Sequence, residues 1–130
     1  MILIRTSDRQ RLSADNCPDD CPASSAGRFV IRADGTARFD RHYHDFGEFW
    51  FIAAGAGTIK VGPTRHPVIA GDIIFTPAGQ EHDILTVASE LWIFWLSARL
   101  TGGGSGAHLH TRPEFAHKHP VAVTKADADA

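Results

Sequence analysis

Gly71–Thr86 reads GDIIFTPAGQEHDILT, two short apolar segments flanking a tight polar one. Both segments are rich in β-branched and aromatic residues, the composition of strands. Between them Pro77 and Gly79 carry the backbone preferences of a tight turn. His82 opens the second segment, and in a strand it shares its face with Ile84 and Thr86. An imidazole at that position either reaches a cavity or decorates a surface, and the flanking sequence has to decide which.

Working outward, the same pattern repeats. RFVIRA, TARFD, EFWFIA, GTIKV, HPVIA, DIIFT, HDILTV and ELWIFWLSA are short apolar or alternating runs. Asp34-Gly35, Gly55 with Gly57, Gly62-Pro63, Gly71-Asp72 and Pro77-Ala78-Gly79 separate them as expected turns. Short strands at regular spacing predict an all-β sandwich or barrel of two antiparallel sheets. No segment holds a 3.6-residue apolar period over three turns, so little helix is expected. Phe49–Ala53 and Leu91–Leu96 are apolar without alternation. One face of each suits a barrel interior. The other needs cover from a second sheet, the N-terminal arm or a partner, and a homodimer is the favoured expectation.

The chain's 130 residues suit one domain. A formal net charge of -2 gives no reason to expect nucleic acid or an anionic membrane as partner. No apolar run is long enough to span a bilayer, and MILIRTSDRQR lacks the features of a secretory signal, so a cytoplasmic location is expected. Cys17 and Cys21 find no second pair to complete a zinc site and are read as free thiols. Three regions are expected: an N-terminal arm over residues 1–26, a barrel core over 27–98 and a flexible C-terminal tail over 99–130. The tail follows TGGGSG and carries His108, His110, His117 and His119.

The chemistry concentrates in RHYHDFGEFW, Arg41–Trp50. His42 and His44 share one face of a strand, and a turn through Asp45–Gly47 can bring Glu48 beside them. Imidazole and carboxylate suit divalent ions such as zinc, iron, manganese, nickel or cobalt. Alone this piece is a weak signal, because surface strands carry such residues too. His82, reaching the same cavity, would complete a site of three histidines and one glutamate.

On these two stretches the chain resembles the cupins. Their first motif runs G-x5-H-x-H-x3,4-E-x6-G and their second G-x5-P-x-G-x2-H-x3-N. Here His42, His44, Glu48 and Gly55 fit the first, with six residues rather than five between Gly35 and His42. Gly71, Pro77, Gly79 and His82 fit the second, with Thr86 in place of the closing asparagine. The fifteen residues between Gly55 and Gly71 match the short spacer of compact microbial cupins. The resemblance covers about Gly27 to Ser97. It implies a double-stranded β-helix, a jelly-roll barrel, holding one divalent metal on His42, His44, Glu48 and His82. Zinc, iron, manganese and nickel all remain open.

Other residues take their expected places from that reading. Trp50 and Ile52 share the face of Glu48 and either line the pocket or fill the core, and Ile84 and Thr86 join them beyond His82. Tyr43 should point away from the metal. Gln80 and Glu81 sit near the barrel mouth, while His66 and Lys60 should face solvent. The tail motifs HLH and HKH are read as a surface or lid segment rather than a second metal site. The favoured function is a metal-dependent enzyme on a small polar metabolite, of isomerase, lyase, decarboxylase or dioxygenase type. The alternative is a non-catalytic sugar- or carboxylate-binding sensor module. The sequence shows no helix-turn-helix region, which speaks against direct regulation of transcription. A structural metal is the third reading.

Overall fold

The computed structural model describes residues 3–99 and 106–123. Among them are eight strands: β1 Ala23–Arg32, β2 Tyr43–His44, β3 Glu48–Val61, β4 Thr64–Ile69, β5 Ile73–Thr76, β6 His82–Ala98, β7 His108–Leu109 and β8 Ala122–Val123. Two short 3-10 turns, Thr6–Asp8 and Pro113–Ala116, are the helical elements among the described residues. No helix there is long and apolar enough to cross a membrane.

The long strands β3 and β6 form the spine. They pair antiparallel from Glu48↔Ser97 to Val61↔His82. β1 flanks β6, β4 flanks the second half of β3, and β5 flanks its first half. β2 and β7 form a separate two-stranded sheet. All these pairings are antiparallel; the two-residue β8 joins β6 in parallel. The all-β expectation with little helix holds.

Gly55 and Gly57 are not at a turn. They lie within β3, where the register with β6 shifts. A Cβ on Gly55 would stand 2.0 Å from the Glu90 carbonyl oxygen, and one on Gly57 2.4 Å from that of Thr86. Gly55 also has φ +88°. Bare α-carbons let the two backbones approach at these bulges, and bulges of this kind bend a strand. One β3 therefore replaces the two strands expected from EFWFIA and GTIKV, and β6 likewise unites HDILTV with ELWIFWLSA.

The uninterrupted apolar runs resolve into alternation. Along β3, Glu48, Trp50 and Ile52 are buried while Phe49 and Phe51 are exposed. Along β6, Val87, Leu91 and Ile93 are fully buried and Phe94 is exposed. Ile59, Ile84 and Val68 belong to the same core, together with Ile31, Phe39, Val61, Ile74 and Val121.

Both termini lie on the barrel. Leu12 is buried and exchanges two backbone hydrogen bonds with Ala26, so this part of the expected arm docks on β1. β1 itself starts at Ala23, before the expected edge of the core. In the tail, residues 106–123 pack against the barrel rather than running free. β7 pairs with β2, His119 N–H donates to the Phe39 carbonyl at 2.9 Å, and Val121 is buried in the core. Glu81 fastens this segment, accepting from Thr111 Oγ1 at 2.6 Å and pairing with Arg41, whose guanidinium lies over the Phe115 ring. TGGGSG and the terminal residues 124–130 fall largely outside the described residues.

Candidate metal centre

His42 and His82 are brought together by their own backbones. His82 N–H donates to the His42 carbonyl at 2.8 Å, and His42 N–H donates back at 3.2 Å. Residues paired in this way project side chains to one face. The His44 carbonyl accepts from Gly79 N–H at 2.8 Å, so the Pro77-Ala78-Gly79 turn holds β2 in place. Ring centroids are 4.4 Å apart for His42 and His82, 4.7 Å for His42 and His44, and 5.1 Å for His44 and His82. All three rings are buried.

The hydrogen bonds assign the tautomers. His42 Nδ1 lies 2.6 Å from the Asp40 carbonyl oxygen, and His82 Nδ1 lies 3.2 Å from that of Gln80. A carbonyl only accepts, so both Nδ1 atoms donate. Burial pushes the His42 and His82 pKa values down to about 4 and about 3, so both rings are neutral at pH 7. Each Nε2 then carries a bare lone pair, and the two Nε2 atoms face each other at 3.0 Å. Burial likewise lowers His44 to about 4, and its buried Nδ1 has no hydrogen-bond partner. Two opposed lone pairs beside an orphaned imidazole nitrogen suit a divalent cation. The backbone carbonyls behind His42 and His82 are the usual supports of metal-binding imidazoles.

Glu48 stands at the edge of this cluster. Its Oε2 is 3.8 Å from His44 Nδ1. Oε1 accepts from Trp50 Nε1 at 2.6 Å and Oε2 from Ser97 Oγ at 2.9 Å. Burial raises the Glu48 pKa, against the lowering effect of these two donors. The three expected imidazoles thus lie ring against ring, and Glu48 is adjacent but held by its neighbours; the three ligand nitrogens that meet within 4.8 Å are those of His42, His44 and His108 rather than His82.

A cavity of about 400 Å³ opens beside the rings. His42, His44, Glu48 and Trp50 line it, Phe29 and Trp95 wall it, and residues Arg11–Ala14 of the arm border it. Of the four expected pocket residues, Trp50 alone borders this cavity. Ile52 and Ile84 are buried in the core, and Thr86 is half-buried between Thr58 and Ala122.

The sequence reading missed Asp40, His108 and His110 here. The His108 ring stacks on His42 at 3.9 Å and 24°. Nitrogens of His42, His44 and His108 lie within 4.8 Å of one another. His108 Nε2 and His110 Nε2 reach Asp40 Oδ2 at 2.7 and 2.8 Å. Burial pushes the Asp40 pKa up, but hydrogen bonds from His110 and His108 outweigh it and hold the carboxyl at about 2. The signal was the alternation of Asp40, His42 and His44, matched by the spacing of His108 and His110. His117 and His119 of HKH lie elsewhere, with His119 on Asp83 at 2.7 Å.

A sequence model described as "AraC-like ligand binding domain" matches residues 25–101. The "Uncharacterized protein y4oW" of Sinorhizobium fredii is 36% identical over 74 residues, covering 57% of this chain and 34% of that protein. The chain thus spans about a third of that relative's length. Among solved structures, a Cupin 2 conserved barrel domain protein from Salinispora arenicola superposes with TM-score 0.57 at 18% identity, covering 76% of this chain and 90% of the other. The DMSP lyase DddQ from Ruegeria pomeroyi gives TM-score 0.59 at 24% identity, covering 72% and 46%. These two likenesses establish the barrel and leave the chemistry to the site. The chain is a cupin barrel and belongs to the family of AraC-like ligand-binding domains.

Proposed function

We propose that this barrel binds one divalent metal ion on His42, His44 and His82, with Glu48 as the adjoining carboxylate, and acts as a metal-dependent enzyme on a small polar metabolite. The observation that carries the reading is the 3.0 Å approach of two neutral Nε2 lone pairs. A bound ion would supply Lewis-acid polarisation of a substrate oxygen. The chain's own groups do the rest. Trp50 and Ser97 hold Glu48 in one orientation, and its raised pKa makes it the cavity's candidate for moving a proton. Phe29 and Trp95 wall the cavity with apolar surface that limits water. Isomerase, lyase and dioxygenase types fit this set equally, and zinc, iron, manganese or nickel are the candidate ions.

The family match favours a second reading, a non-catalytic module that holds a sugar or carboxylate in the same cavity. Metal-loaded protein incubated with small hydroxy acids and sugars separates the two. Turnover abolished by His82→Ala supports the enzyme. Saturable binding without turnover supports the module.

We also propose a homodimer through the outer face of β3, β5 and β6. Phe49, Phe51, Ile73, Phe75 and Phe94 are exposed there, and the Phe49 and Phe75 rings touch at 4.9 Å. A contiguous aromatic face of this kind marks an interaction surface.

A further inference from the structure

The tail's HLH stands at the same spacing as the barrel's HYH, and β7 lays one along the other. His44 pairs with His108, and Tyr43 with Leu109. His108 and His110 then meet the same oxygen, Asp40 Oδ2, at 2.7 and 2.8 Å. One ligand atom from each of Asp40, His108 and His110 lies within 4.8 Å of the others. We propose that these three residues form a second divalent-cation site, built by docking the tail. Two imidazoles and one carboxylate are a donor set for zinc, iron(II), manganese or cobalt.

The position is distinct from the barrel centre. Asp40 Oδ1 lies 3.6 Å from His42 Nδ1, whereas the barrel centre lies on the Nε2 side of that ring. His108 is exposed, so water can complete the coordination. Asp45 seats the tail just before His108, its Oδ1 accepting from Gly106 and Ala107 N–H at 3.0 Å each. One carboxylate on the cation leaves a formal charge of +1. The site takes no ligand from His44, Glu48 or His82; His108 also approaches the His42 and His44 nitrogens, so His110 is the residue whose loss separates the tail site from the barrel centre.

The test is titration of the metal-stripped full chain with Co²⁺, followed by calorimetry and visible absorption. The wild type should take up two equivalents. His110→Ala should lose one and keep the other, which His82→Ala should remove instead. Unchanged stoichiometry in His110→Ala overturns the proposal, as does a wild type that binds no Co²⁺. If the wild type binds one equivalent, its loss in His110→Ala alone supports the tail site and removes the barrel reading. Its loss in His82→Ala alone does the reverse. His110→Gln, which keeps a polar side chain beside Asp40, is read in the same way and guards against misfolding of the alanine variant.

Discussion

Each imidazole of the centre has its role set by what lies behind it. Asp40 and Gln80 carbonyls hold His42 and His82 as Nδ1–H tautomers, and this aims both Nε2 lone pairs inward. His44→Ala or His82→Ala should therefore cost more metal affinity than the roughly 10–100-fold typical of losing a supporting partner. Equilibrium dialysis with Zn²⁺ measures it; wild-type affinity in both variants would remove the assignment. Trp50 acts through Glu48, donating to Oε1 at 2.6 Å. Trp50→Phe removes that donor from a buried carboxylate and should destabilise the fold by about 1.5–3 kcal/mol. It should also push the Glu48 pKa higher, which carboxyl-resolved NMR titration would follow. An unchanged melting temperature and titration would show the bond to be idle.

At the scale of elements, the bend of β3 against β6 depends on two bare α-carbons. Gly55→Ala places a methyl 2.0 Å from the Glu90 carbonyl oxygen, in a residue with φ +88°. Overpacking of about 1–3 kcal/mol should add to about 1–2 kcal/mol for the left-handed backbone. Urea denaturation should show that loss, whereas a change below about 1 kcal/mol would mean that the bulge adapts. This is also where sequence reading met its limit. Gly55 and Gly57 looked like turn residues because a bulge and a turn ask the same freedom of glycine. His42, His44 and Glu48 were legible as one group because their spacing is local, while His82 was joined to them only through the resemblance of its turn to the second cupin motif. Asp40 with His108 and His110 was not legible, since β2 and β7 pair across some sixty residues of chain and nothing local encodes that register. Ile84 keeps the face of His82 but lies in the core, whereas the register shift between Thr58 and Ile59 takes Thr86 out of that alternation and leaves it half-buried.

For the whole molecule, three buried neutral histidines couple stability to pH. Their folded pKa values of about 4, 4 and 3 lie below the unfolded value of about 6.5. Above pH 6.5 both states are deprotonated there and the coupling vanishes. As pH falls through the window from about 6.5 to 4, the unfolded chain takes up protons that the fold excludes, so stability falls. Three groups give up to about 4 kcal/mol per pH unit for metal-free protein. His119 runs the other way: burial lowers its pKa, but the hydrogen bond to the Pro120 carbonyl and the contact with Asp83 outweigh it and raise the pKa, though one group cannot cancel three. Thermal melts from pH 8 to 4.5 check this, and a flat profile would place the rings in water. The proposed dimer has its own test in Phe51→Glu, which sets a charge in the aromatic face. Light scattering should show a dimer becoming a monomer of about half the mass; a monomeric wild type would leave that face to another partner. The central claim is the barrel metal. It is tested most directly by inductively coupled plasma mass spectrometry on protein prepared without chelator or affinity-column metal. At least one equivalent of zinc, iron, manganese or nickel per chain, falling by about one equivalent in His82→Ala, is the expected result. No metal in the wild type, and none taken up on reconstitution, would contradict the account.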